Sequence, residues 1–115
     1  PARPARDGEV EQLRGEHERR QHAEQRHARL VELDVRDPES FAKGRIPGAV
    51  FLPRGQLESK VEEVAPRDAR VIVYCAGGNR SALAADTMRE MGYRDVTSMT
   101  GGIQSWVDAG GEIEG

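Results

Sequence analysis

The residues best suited to chemistry lie in one short stretch, Cys75-Ala76-Gly77-Gly78-Asn79-Arg80-Ser81. Cys75 is the only cysteine among the 115 residues, so it cannot form a disulfide within the chain. Three roles remain open for it: a packed thiol at a strand end, a disulfide to another chain, or a reactive thiol. Because the thiolate rather than the thiol is the nucleophile, the surroundings of Cys75 decide among these roles.

The residues that follow Cys75 favour a reactive thiol that handles anions. Gly77 and Gly78 allow backbone conformations in which successive amides point inward as a nest. Arg80 adds a guanidinium suited to oxyanions, and a predicted helix begins at this point with unpaired N-terminal amides. We expect these dipoles and this cation to lower the pKa of Cys75. The alternative is a packed cysteine followed by glycines that only turn the chain.

From Leu30 onward, short apolar runs alternate with helical stretches, which predicts an α/β fold with a mostly parallel sheet. The strongest predicted strand, 71–74, is rich in β-branched residues and uncharged, as expected of a strand buried on both faces. It delivers Cys75 at its carboxyl end, the edge of open α/β sheets where ligands bind. The other predicted strands span 30–35, 49–52 and 96–99.

Helix signals lie between these strands. Asp37-Pro38 is an N-cap followed by a proline at the first helical position, and this short helix is expected to end near Gly44. Further helices are predicted over 56–64 and 81–91, and a last one before Gly110. The helix over 81–91 is expected to pack one side on the sheet and to be capped by Gly92; that side carries Leu83, Ala84, Thr87, Met88 and Met91.

Residues 1–29 differ sharply from the rest of the chain. They contain seven Arg and six acidic residues, and their only apolar side chains larger than alanine are Val10 and Leu13. Such a segment cannot build a core, so we expect a charged helix or a mobile arm. Its histidines, spaced five residues apart, would scatter around a helix, and no metal site is predicted from His17, His22 and His27.

Composition limits the classes of function. A chain of 115 residues is expected to form one domain, and 37% hydrophobic with 32% charged residues fits a globular protein. A net charge of −3 and a pI near 5.6 argue against nucleic-acid binding. No apolar run has the length of a membrane span, and the N-terminus lacks the apolar core of a signal peptide. We therefore expect a cytoplasmic protein with no membrane or nucleic-acid partner.

The motifs of the chain resemble those of rhodanese-like domains. The family's loop reads C-x-x-G-x-R-S after a hydrophobic strand, which here is 75–81. Leu33-Asp34-Val35-Arg36 with the stretch 44–49, and Gly101-Gly102-Ile103-Gln104-Ser105-Trp106 with Gly110, are similar to two further family motifs. The resemblance covers about residues 30–113. Arg45 stands where the family usually has His, and Ser40 where it usually has an acidic residue.

This resemblance implies a domain over 30–115, with a mostly parallel central sheet flanked by helices on both faces. It implies that Cys75 carries a persulfide and that backbone amides from Ala76 to Arg80 cradle the transferred sulfur. Asp34 and Arg36 are expected to hold the floor of the loop through hydrogen bonds, since buried charges are normally paired. Trp106 is expected to anchor the core.

The implied activity is that of a thiosulfate sulfurtransferase. Cys75 would take sulfane sulfur from a donor such as thiosulfate and pass it to a thiol or to cyanide, without a metal or organic cofactor. A protein persulfide is a second possible donor, because the loop offers one cation, Arg80. A persulfide carrier or regulatory module is the first alternative. A cysteine phosphatase or arsenate reductase is the second, although such phosphatases place five residues between Cys and Arg where this chain has four.

The first prediction concerns the charged N-terminal segment. Because it offers few large apolar side chains, removing residues 1–28 is expected to cost little sulfurtransferase activity and little soluble yield. Expression of the two forms side by side, with activity assayed per mole of folded protein, tests this. Loss of soluble protein on truncation would show that the segment packs as an integral layer.

Overall fold

The computed structural model describes residues 29–115, which form an α/β unit around a sheet of parallel strands. The order across the sheet is β2-β1-β3-β4, and the strands are β1 Leu30–Asp34, β2 Val50–Phe51, β3 Arg70–Tyr74 and β4 Asp95–Ser98. The helices are α1 Pro38–Lys43, α2 Leu57–Val64, α3 Asn79–Glu90 and α4 Gly102–Asp108, with a 3-10 turn at Arg54–Gln56. The predicted parallel α/β class is confirmed.

Alternating side chains of β1 and β3 build one core on each face of the sheet. The larger core lies under α2 and α3 and includes Val31, Leu33, Leu57, Val61, Val71, Val73, Cys75, Ala84, Ala85 and Met88. The smaller core lies under α4 and includes Leu30, Ile46, Ile72, Tyr74, Met99 and Trp106. Helices therefore cover both faces, as expected, and Trp106, 1% exposed, anchors the smaller core.

Helix ends follow the chemistry of the sequence. Asp37 caps α1, since its carboxylate accepts a hydrogen bond from the Ser40 amide at 2.8 Å, and Pro38 occupies the first turn. Gly92 follows α3 with a φ of +105°, the left-handed conformation expected after a helix. These predicted caps are confirmed.

The predicted face of α3 was wrong at one position, and its start was two residues late. The helix begins at Asn79, and it buries Ser81, Ala84, Ala85 and Met88, whereas Leu83 is 64% exposed. Small side chains at positions 81, 84 and 85 let the helix lie close to the sheet, and Leu83 falls on the opposite side. Several strand ends also differ from the prediction by one residue, and β2 is reduced to Val50–Phe51.

The N-terminus of α4 packs directly against the backbone that follows β3. The amide of Ile103 donates to the Cys75 carbonyl at 2.9 Å, and that of Gln104 donates to the Ala76 carbonyl at 3.3 Å. Gly102 has a φ of +64°, and a Cβ there would lie 2.4 Å from both carbonyl oxygens. Only glycine allows this approach.

Within residues 29–115, no helix has both the length and the apolar character needed to cross a membrane. In the same range, no group of three or more His, Cys, Asp or Glu side chains is arranged to hold a metal ion. The predictions for His17, His22, His27 and nearly all of the charged N-terminal segment lie outside the described residues.

The second prediction tests the contact between Gly102 and the Cys75 carbonyl. Gly102→Ala is expected to lower the free energy of unfolding by about 2 kcal/mol or more, because it adds left-handed strain to a backbone clash. Gly55→Ala is the matched control, since a Cβ at Gly55 meets nothing within 4 Å, and it is expected to change stability by about 0.5 kcal/mol or less. Urea denaturation measures both, and equal effects would contradict the proposed constraint.

Candidate functional site

The Cys75 sulfur lies in a cage of hydrogen-bonding groups at the carboxyl end of β3. The Gly78 amide donates to Sγ at 3.1 Å and the Ser81 amide at 3.4 Å, while the Ser81 hydroxyl lies 3.5 Å away. The side chain is only 4% exposed, but Ala76 and Gly77 next to it are exposed. The sulfur therefore lies just beneath the surface, and backbone amides face it.

The carbonyls bound by α4 orient the first two amides of the loop, those of Ala76 and Gly77. A trans peptide directs its C=O and its N–H in opposite directions, and none of the described peptides is cis. Because α4 binds the carbonyls of Cys75 and Ala76, the next two amides, those of Ala76 and Gly77, point away from α4. Gly78, at a φ of +100°, then turns the chain so that α3 begins with its free amides on the sulfur side.

Ser81 is the side chain at the centre of the cage. It is fully buried, and its hydroxyl lies within hydrogen-bond distance of the Cys75 sulfur, of the Gly78 carbonyl at 3.2 Å and of the Ser98 hydroxyl at 2.8 Å. Ser98 ends β4, the strand beside β3, and it is half-buried. Ser98 could not be predicted as a site residue from the sequence, because its contact with Ser81 depends on the pairing of β3 with β4.

Two opposing effects set the acidity of the thiol. Burial raises the pKa of Cys75, but hydrogen bonds to the sulfur lower it by more. The groups that lower the pKa are, from the largest effect to the smallest, the Ser81 hydroxyl and the amides of Ser81, Gly78 and Arg80. The pKa of Cys75 is therefore below its ordinary value, and at a given pH more of the thiol is ionised than in an ordinary cysteine.

Arg80 is positioned at the mouth of the loop. It is the second residue of α3 and is exposed, and its guanidinium forms no ion pair with any side chain of residues 29–115. Asn79 beside it is exposed as well. An exposed guanidinium that pairs with no side chain of the described residues is suited to binding an anion.

Asp34, which is fully buried, forms an ion pair with the partly buried Arg36. Their closest contact is 2.7 Å, and Arg36 also donates to the Gly44 carbonyl at 2.6 Å. Nearby, the Tyr74 hydroxyl accepts from the Ile46 amide at 3.2 Å, and burial together with Asp34 raises the pKa of Tyr74. These bonds secure the connection between β1 and β2. Neither side chain bonds to residues 75–81.

Known proteins place this arrangement in a family. A family model described as the rhodanese-like domain matches residues 15–109. The chain belongs to the rhodanese-like domain family. The match begins inside the charged N-terminal segment, and the domain boundary near residue 30 stays a prediction.

Relatives of this rhodanese-like domain bear names connected with sulfur. It is 40% identical over 76 residues to the thiosulfate sulfurtransferase GlpE of Ectopseudomonas mendocina. The matched region covers 66% of this chain and 69% of that protein. It is also 36% identical over 74 residues to the putative sulfur carrier protein YrkF of Bacillus subtilis, and this matched region covers 64% of this chain. The chain spans only 40% of the length of YrkF.

Solved structures share the fold. One neighbour is RPA3614 of Rhodopseudomonas palustris, described as a protein of unknown function and possible tyrosine phosphatase. It has a TM-score of 0.76 and 36% sequence identity, and the match covers 91% of this chain and 81% of that one. The similarity supports the fold described above.

The third prediction concerns the ionisation of Cys75. Titration of the ultraviolet absorbance of the thiolate, with Cys75→Ser subtracted as the blank, is expected to give a lower midpoint in the folded protein than in urea. Because the pKa is lower in the folded state, ionisation of Cys75 stabilises the fold fully above the unfolded midpoint, and this stabilisation is lost as pH falls through the folded midpoint. Ser81→Ala is expected to raise the midpoint. Equal midpoints for folded and unfolded protein would contradict the conclusion that these hydrogen bonds lower the pKa of Cys75.

Proposed function

We propose that this rhodanese-like domain is a sulfurtransferase that carries sulfane sulfur as a persulfide on Cys75. The observation that carries the proposal is the set of donors facing the sulfur: the amides of Gly78 and Ser81 and the hydroxyl of Ser81. In this proposal Cys75 is the nucleophile, residues 76–81 cradle the sulfur and its donor, and Asp34 and Arg36 support the neighbouring backbone. The sulfurtransferase and sulfur carrier names of the relatives agree with it.

The first step loads the cysteine. The Cys75 thiolate attacks the outer sulfur of thiosulfate, a sulfur–sulfur bond forms on Cys75, and the bond inside thiosulfate breaks so that sulfite leaves with the electron pair. Negative charge moves from Sγ to the departing sulfite. Amides that are already oriented toward this region stabilise the charge without reorganising, as in an oxyanion hole.

The second step transfers the outer sulfur from Cys75 to an acceptor. A soft nucleophile, cyanide or a thiolate, attacks the outer sulfur of the persulfide, and Cys75 leaves as a thiolate. A leaving thiol of lowered pKa departs more readily, so the same hydrogen bonds from Gly78 and Ser81 assist both steps. The proton and electron balance closes without a metal or organic cofactor.

Arg80 bears on the identity of the donor. One exposed guanidinium can hold the sulfonate end of thiosulfate while the outer sulfur meets Cys75. It is a modest charge for capturing a free dianion, which keeps a protein persulfide as a second candidate donor. The cytoplasmic location remains a prediction of the sequence.

Two other functions have a specific observation in their favour. The name of YrkF favours a carrier that docks to a partner and turns over small donors poorly. The description of RPA3614 favours a phosphatase. Against the phosphatase, only four residues separate Cys75 from Arg80, and the Gly78 amide already lies 3.1 Å from Sγ, which suits a single added sulfur better than a phosphoryl group.

The fourth prediction tests the persulfide directly. Incubation with thiosulfate, followed by removal of the excess donor, is expected to add about 32 Da to the intact protein, and cyanide is expected to remove the added mass and yield thiocyanate. Cys75→Ser is expected to abolish both results, since a hydroxyl does not replace the thiolate. A mass gain with negligible turnover would favour the carrier. No mass gain from thiosulfate or a protein persulfide, combined with hydrolysis of aryl phosphates, would favour the phosphatase.

Arg80 has a matched control in the same experiment. Arg80→Ala is expected to slow loading from thiosulfate while leaving unloading by cyanide nearly unchanged, because the backbone amides remain. Arg94→Ala removes the same charge from an exposed position beyond the far end of α3 and is expected to have no effect. Equal slowing by both substitutions would show that net charge matters rather than a contact at Arg80.

A further inference from the structure

The buried hydroxyl of Ser81 has three hydrogen-bonding neighbours but only one proton to donate, and Ser98 is one of these neighbours. A serine hydroxyl donates one hydrogen bond and accepts up to two. The neighbours of Ser81 Oγ are the Cys75 sulfur at 3.5 Å, the Gly78 carbonyl at 3.2 Å and the Ser98 hydroxyl at 2.8 Å. The carbonyl can only accept, so the proton of Ser81 is shared between two competing acceptors once Cys75 ionises.

The two states of Cys75 require different arrangements. With a neutral thiol, the S–H group donates to Ser81, Ser81 donates to the Gly78 carbonyl, and Ser98 donates to Ser81. When the thiol proton leaves for solvent, the sulfur can only accept, and the Ser81 proton turns from the carbonyl to Sγ. The Gly78 carbonyl keeps a partner, because the Ala82 amide donates to it at 3.2 Å. This arrangement requires Ser98 to donate to Ser81 in both states, which the 2.8 Å separation of the two hydroxyls allows.

We propose that Ser98 is a positioning residue that, through Ser81, holds a hydroxyl proton on the Cys75 sulfur whenever that sulfur is an anion. A hydroxyl that accepts a hydrogen bond becomes a stronger donor, so the bond from Ser98 strengthens the bond from Ser81 to the thiolate. Its bearing on sulfur transfer rests on the proposed function and extends it, since Cys75 is an anion both when it attacks the donor and when it leaves the persulfide.

Charged groups on the surrounding elements do not supply this effect. On α3, Arg80 acts on the thiol through its backbone amide. On β4, Asp95 lies three residues before Ser98 and pairs with Arg70 at 3.7 Å. On β1, Asp34 faces the other side of the sheet and pairs with Arg36. The Ser81 hydroxyl is the largest of the influences that favour the thiolate, and Ser98 is the hydroxyl bonded to it.

The fifth prediction tests Ser98 without any sulfur donor. Ser98→Ala is expected to raise the midpoint of the thiolate titration and to lower the thiolate fraction at a fixed pH below that midpoint by roughly two- to fivefold. Ser98→Thr keeps the hydroxyl and is expected to restore the wild-type midpoint. Thr97→Ala, at the exposed neighbouring position of β4, is the matched control and is expected to leave it unchanged.

A double-mutant cycle shows whether Ser98 acts through Ser81. In a Ser81→Ala background, Ser98→Ala is expected to cause no further shift, because the hydroxyl that relays its effect is gone. If Ser98→Ala does not fold, Ser98→Val is compared with Ser98→Thr instead, since the two side chains have nearly the same shape and only threonine carries a hydroxyl. An unchanged midpoint in Ser98→Ala or Ser98→Val, or a shift that persists without the Ser81 hydroxyl, would overturn the proposal. Failure of sulfur transfer would appear separately, as a wild-type protein that gains no mass from sulfur donors.

Discussion

The structure depends on one close contact, that between the backbone after β3 and the first turn of α4. Gly102 approaches the Cys75 carbonyl so closely that a Cβ would lie 2.4 Å from it, and a Cβ on Gly78 would lie 2.8 Å from the Gly101 amide. Two loops without side chains at the contact can exchange hydrogen bonds directly between their backbones. The carbonyls of Cys75 and Ala76 are thereby turned away from the sulfur, and that region is left to N–H groups. The amides that face the sulfur, those of Gly78 and Ser81, lie directly after this part of the backbone.

This arrangement stabilises a thiolate without placing a cationic side chain against it. Burial alone would raise the pKa of Cys75, and the hydrogen bonds from Gly78 and Ser81 reverse that effect. Arg80 stays exposed and uncompensated by the described residues, free to meet an incoming anion. For the proposed sulfur transfer this separation has a chemical advantage, because a guanidinium bonded to the sulfur would weaken it as a nucleophile and would not be available to a sulfur donor.

The sequence predicted those parts of the site that are local. The β-branched run ending at Tyr74, the glycines after Cys75 and the cap at Asp37 each act within a few residues, and the structure has all three features. Leu83 was misplaced, because the pattern of apolar residues fits more than one helix face and the small side chains at Ala84 and Ala85 decide which face meets the sheet. Strand ends shifted for a similar reason, since pairing with neighbours rather than propensity sets where a strand stops.

Parts of the site that depend on strand pairing could not be read from the chain. Ser98 is one of several serines in the sequence and follows no motif, yet β4 pairs with β3 so that Ser98 lies opposite Val73 and its hydroxyl meets that of Ser81. The same register controls which side chain reaches the cage. A slip of one residue would present Thr97 or Met99 on that face and remove the bond to Ser81. The geometry around the sulfur is therefore only as precise as the pairing of β3 with β4, which ties the chemistry of Cys75 to the stability of the sheet.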